Sequence, residues 1–109
     1  MSFYHKNLGL AYYHLEQYEE AMTMYDRAIG YNGDNADNYF NRGNVYQQQK
    51  NFEAAHQDFE TAINLENRNA KYYHGKGLCY QEEAEEIMKS PNPDTMLEEE
   101  KINEAINKF

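Results

Sequence analysis

The chain has no tryptophan, one cysteine, two prolines and about half as many basic as acidic residues. With Cys79 alone, no intramolecular disulfide can form, and a reducing, intracellular (cytoplasmic) setting is expected. No apolar run approaches the roughly 18 residues that a bilayer-crossing helix needs, and the opening MSFYHKNLGL has no basic-then-apolar export pattern. Ten Lys and Arg against 19 Asp and Glu give a net charge of -9. A chain without a basic stripe has little to offer nucleic-acid phosphates. Large aliphatic residues are scarce too: Leu, Ile, Val and Phe make up 17 of 109 residues. That is below the roughly 20% at which a highly charged chain is suspected of disorder. Against this stand 11 Tyr, 10 Ala and 5 Met, many at regular helical spacings. Placement on one face, not bulk hydrophobicity, decides whether a core forms. One folded domain is expected.

The chain repeats itself every 34 residues. Gly9, Gly43 and Gly77 keep that step, as do Tyr12, Tyr46 and Tyr80. Tyr39 and Tyr73, Ala21 and Ala55, Ala28 and Ala62, and Ile29 and Ile63 follow it, while Tyr18 pairs with Phe52 and Tyr25 with Phe59. Each unit reads as two helices. In the second unit Tyr39, Phe40, Gly43 and Tyr46 mark a first helix over about 36–49; Phe52, Ala55, Phe59, Ala62 and Ile63 mark a second over about 52–65. Asn35 and Asn69 stand at N-cap positions. Glu16-Gln17 and Lys50-Asn51 divide the helices within units, and Gly33 is free to turn left-handed after the first unit. A mid-helix glycine costs about 0.5–1 kcal/mol relative to alanine. One per unit therefore predicts close approach of a neighbouring helix, helped by the alanines. A single hairpin cannot bury both its faces, so the units must stack.

Leu8-Gly9-x-x-Tyr12, Arg42-Gly43-x-x-Tyr46 and Lys76-Gly77-x-x-Tyr80, with Ala21-x-x-x-Tyr25-x-x-Ala28 and Ala55-x-x-x-Phe59-x-x-Ala62, resemble the two helix signatures of the tetratricopeptide repeat. The resemblance implies an all-α, right-handed superhelix of helical hairpins, about six helices in all. Repeats are expected over 2–35, 36–69 and 70–109. The sequence departs from the family in placing His5, Tyr39 and Tyr73 where Trp is frequent, and Gly33 and Asn67 at the usual junction proline. Ala21 to Ala55 is 34 residues but Ala55 to Ala105 is 50, so about 16 residues, near 84–99, are inserted in the third unit. Tyr80, Ala84, Ile87 and Met88 extend its first helix, and Ser90-Pro91-Asn92-Pro93-Asp94 breaks it. Residues 82–100 carry -7 of the net charge, read as a solvated face on a lengthened hairpin.

Members of the family often bind peptides along the concave surface of their first helices. One subgroup clamps an acidic C-terminal carboxylate with two Lys, two Asn and one Arg. Aligned on the glycines, Lys6, Asn41 and Lys71 fill three of those positions, while Leu10 and Gly75 replace the second Asn and the Arg. Losing the guanidinium fork removes bidentate recognition that a Lys does not reproduce. The inferred concave surface also holds Phe3, Tyr13, His14, Asp37, Phe40, Asn44, Gln48, His74, Leu78 and Gln81. This mixed aromatic and amide surface suits a peptide or helix.

His5, His14, His56 and His74 lack metal-ligand spacing, so no metal or cofactor is expected. Cys79 aligns with Ala11 and Val45 and reads as a buried, inert thiol. No phosphate loop, nucleophile elbow or zinc-protease motif occurs, and the acids are not paired for catalysis. The expected function is a non-enzymatic protein-interaction module, an adaptor or scaffold. A reduced carboxylate clamp and a structural segment of a larger assembly are the alternatives. The chain reads as part of a longer array, with Ile102, Ala105, Ile106 and Phe109 forming an apolar stripe for a following helix or a second copy.

Overall fold

The computed structural model describes residues 2–89. These form five α-helices: α1 Ser2–His14, α2 Tyr18–Tyr31, α3 Ala36–Gln48, α4 Phe52–Leu65 and α5 Ala70–Lys89. No strand occurs among the described residues. The connections are short, so sequential helices fold back on one another. α1 packs chiefly on α2 and α3 on α4, while α2 with α3 and α4 with α5 join one hairpin to the next. α1, α3 and α5 also touch in series, leaving α2 and α4 on the opposite side.

The helix ends follow from local chemistry. Asn35 Oδ1 accepts from the Asp37 amide at 3.0 Å and Asn69 Oδ1 from the Lys71 amide at 3.0 Å, capping α3 and α5 as the sequence predicts. At the other ends, Glu16 and Lys50 take left-handed backbone with φ of 60° and 65°. The Gln17 and Asn51 amides reach back to the Tyr12 and Tyr46 carbonyls, and the Glu16 and Lys50 amides to those of Tyr13 and Gln47. This double closure uses the carbonyls of Tyr12 and Tyr13 at the end of α1 and of Tyr46 and Gln47 at the end of α3. Gly33 does not share that role: no glycine among the described residues has positive φ. The left-handed turns lie within hairpins, where the chain must reverse in three residues, and not at the junction after α2.

Close approach explains the first two glycines of the 34-residue series. A Cβ on Gly9 would sit 2.7 Å from the Tyr25 ring, and one on Gly43 would sit 2.8 Å from the Phe59 ring. Ala21, Ala28, Ala55 and Ala62 are fully buried, so the aromatic rings enter between closely spaced backbones. Gly77 meets nothing within 4 Å among the described residues. Its aligned aromatic partner would be Phe109, outside the described residues.

The family departures have local compensations. Tyr39 donates from its hydroxyl to the Gly33 carbonyl and Tyr73 to that of Asn67, both at 2.9 Å. Each tyrosine thereby braces the junction that lacks proline. His5 is buried and stacks on Tyr31 with ring centroids 5.3 Å apart. Arg42 of α3 reaches Asp58 of α4 within its own repeat through two contacts of 2.8 Å and, across the repeat boundary, Asp26 of α2 at 3.1 Å. One period later Lys76 pairs with Glu60.

α5 runs for 20 residues against 13 in α1 and α3. The remainder of the lengthened third hairpin expected from the sequence, the sixth helix and the apolar stripe Ile102, Ile106 and Phe109 lie outside the described residues.

Candidate functional site

The first helices bring three charges together at one end of their common face. Lys6 comes from α1, Asp37 from the first turn of α3 and Lys71 from the first turn of α5. Lys71 Nζ lies 2.9 Å from Asp37 Oδ1, and the Tyr72 hydroxyl donates to the same oxygen at 2.6 Å. Burial alone would raise the Asp37 carboxyl pKa, but the Tyr72 hydrogen bond and Lys71, with the field of Lys6, outweigh it and hold the carboxyl below its ordinary value. Tyr72 is pushed the other way, by burial and then by Asp37 and Glu66, so its hydroxyl stays a proton donor. Lys71 also stands 5.3 Å above the Phe40 ring and 5.4 Å from that of Tyr72.

The middle of the face is aromatic and amide. Phe40 is half-buried, its ring 5.2 Å from Tyr72 and 5.6 Å from Phe59. Behind it, a Cβ on Gly75 would come within 2.7 Å of Phe40 Cε2. That contact supplies a physical reason for the missing clamp arginine: Phe40 fills the space from which such a side chain would start. Leu10, Asn41 and Asn44 are half-buried, while Gln48 and His74 are exposed. At the far end the Tyr13 ring packs 5.8 Å from Tyr18 and against the cluster of Ala21, Tyr25 and Val45. Burial raises the Tyr13 pKa, as do Tyr18 and Glu82, whereas a hydrogen bond with Gln48 lowers it. Tyr13 and Gln48 therefore pair across α1 and α3, within the field of Glu82 on α5. Among the remaining concave-face candidates, Phe3, His14, Leu78 and Gln81 are exposed.

The site is thus polarised, with Lys6, Asp37 and Lys71 at one end and Tyr13, Gln48 and Glu82 at the other. Sequence reading missed the Asp37 contact and the burial of Tyr72, only 1% exposed. A usable signal existed: Asp37 and Lys71 have opposite charge and stand one 34-residue period apart, which places them side by side on adjacent first helices. A second polar cluster lies between α4 and α5. His56 Nε2 is 2.7 Å from Glu83 Oε2 and 4.0 Å from Cys79 Sγ, with the His56 ring stacked on Tyr80. The Cys79 thiol is fully buried, and burial pushes its pKa up to about 11, with Glu83 and Glu82 adding to the effect. It stays protonated near neutrality, as expected of a packing residue.

Two family models match the chain, one described as TPR repeat over residues 9–50 and one as tetratricopeptide repeat over 36–69. The chain belongs to the tetratricopeptide repeat family. No curated protein sequence matches it. Among solved structures, this tetratricopeptide repeat chain is similar to the second TPR of Spaghetti (RPAP3) bound to the HSP90 peptide SRMEEVD, at 28% identity and a TM-score of 0.70. That match covers 73% of this chain and 74% of the other. An Arabidopsis OM64 TPR domain is 27% identical with a TM-score of 0.70, covering 95% of each chain. The second TPR domain of human RPAP3, solved with the HSP70 peptide SGPTIEEVD, shares the fold at 24% identity and a TM-score of 0.66, covering 91% of this chain and 92% of that one. No helix among the described residues is long and apolar enough to cross a membrane.

Proposed function

We propose that the chain is a protein-interaction module whose concave face takes an extended peptide, with Lys6, Leu10, Tyr13, Phe40, Asn41, Asn44, Gln48, Lys71 and His74 as the contacting set. The observation carrying this reading is the face itself: aromatic and amide side chains on three adjacent first helices, with ammonium groups at one end. The rings supply apolar contact and the amides can pair with a peptide backbone. The Spaghetti neighbour, solved with an HSP90 peptide, supports a peptide as occupant.

An acidic C-terminus is a poor ligand on this reading. Lys6, Asn41 and Lys71 remain, but Leu10 offers no amide, and Phe40 against Gly75 leaves no arginine fork. Calorimetry with SRMEEVD as probe is expected to give micromolar or weaker binding, reduced several-fold by Lys71→Ala. Nanomolar binding abolished by that substitution would show a working clamp. Tight binding indifferent to it would place the ligand elsewhere.

A further inference from the structure

Asp37 is unusual among the groups on the concave face because it presents a carboxylate where a bound ligand's carboxylate would be sought. It is anchored there three ways. Tyr72, a buried residue of α5, donates a hydrogen bond to it at 2.6 Å; Lys71 approaches the same oxygen at 2.9 Å; and the first turn of α3 favours an acid through its exposed amides. Its orientation is therefore fixed from two helices. The charge of Lys6, on α1, also acts on this carboxylate. An incoming carboxylate seeking Lys71 meets an ammonium already paired, beside a negative charge that repels it. Displacing Asp37 would strip the Tyr72 hydroxyl of its shortest partner, leaving only the contact to Glu66 at 3.3 Å.

We infer that Asp37 is a specificity-determining residue, an internal carboxylate that occupies the anion site at Lys71 and turns the groove away from ligands ending in an acidic group. The inference rests on the peptide-groove reading above and deepens it. Neutralising Asp37 leaves Tyr72 a neutral acceptor and releases Lys71 to a ligand. Electrostatic complementarity of this kind acts chiefly on partner choice.

The test compares the wild-type chain with Asp37→Asn by calorimetry, using SRMEEVD at low and high salt. Asp37→Asn is expected to bind at least tenfold more tightly at low salt, with the gain shrinking as salt screens it. Adding Lys71→Ala should erase the gain. Asp34→Asn removes the same charge from an exposed loop residue and should leave affinity unchanged. Asp37→Ser serves as a second variant should the amide disturb the helix start. Equal affinity in wild type and both Asp37 variants would overturn the inference while leaving the groove reading intact. An equal gain from Asp34→Asn would reduce it to net charge and likewise overturn it. Absence of SRMEEVD binding in every protein, the Asp37 variants included, would overturn the inference but not the groove reading, on which an acidic C-terminus is already a poor ligand.

Discussion

Gly43→Leu is expected to lose about 3 kcal/mol of unfolding free energy, the cost of forcing a large side chain into a closed contact. Even the first added carbon would stand 2.8 and 3.0 Å from two atoms of the Phe59 ring and 3.3 Å from Asp58 Cβ. Phe59 has no easy escape, being fully buried between Ala55, Cys79 and Phe40. Helix propensity works against this loss, since replacing a helical glycine gains up to about 1 kcal/mol. Gly30 isolates that opposing term: it lies in α2 with nothing within 4 Å of its added carbon. Gly30→Ala should therefore stabilise slightly while Gly43→Leu destabilises strongly. Urea unfolding of the two variants decides it, and an unchanged midpoint for Gly43→Leu would refute close approach as the reason for the glycine.

Arg42→Met is expected to cost about 3 kcal/mol, the scale for removing one partner of a buried ion pair. Asp58 is 5% exposed, and both its oxygens accept from Arg42 at 2.8 Å. Without the guanidinium its charge would be left in the seam between α3 and α4. The asymmetry is the test. Arg42→Met with Asp58→Leu should recover most of the loss, because the uncompensated carboxylate is gone. A neutral single variant, or a double variant worse than both singles together, would show that the pair does not organise the seam.

The 34-residue period made the hairpin architecture legible, since each recurring glycine and alanine marks where two backbones meet. The individual faces were less so. The stripe of Tyr39, Phe40, Gly43 and Tyr46 implied one buried face on α3, whereas burial is deepest at Ala36, Asn38, Gly43, Val45 and Gln47. α3 has neighbours on several sides, with α4 and α2 as main partners and α1 and α5 at its edges, so no single helical stripe describes its burial. α5 shows the same effect: the repeat drew attention to Tyr73 and Tyr80, yet Tyr72 and Gly75 are buried beside the expected Cys79, while Tyr73 is 48% exposed.

The sequence points to Gly33 as a left-handed residue after the first unit because glycine is the usual choice there. Glu16 and Lys50 adopt that backbone instead, held by paired backbone hydrogen bonds that offset the strain. At the site, the alignment brought out Lys6, Asn41 and Lys71 but not what they meet. Asp37 had been one polar residue among many, and only the juxtaposition of α3 and α5 sets it against Lys71.

The most direct test of the concave face as the binding surface is nuclear magnetic resonance mapping on the isotope-labelled chain, titrated with SRMEEVD. Perturbations should concentrate on the first helices, at Lys6, Asn41, Asn44 and Lys71, and extend to Gln48 and Tyr13 as the peptide follows the groove. Exposed residues of the opposite helices, such as Thr23 and Glu53, should stay unmoved. Perturbations centred on α2 and α4, with α1, α3 and α5 silent at saturation, would contradict the assignment of the groove.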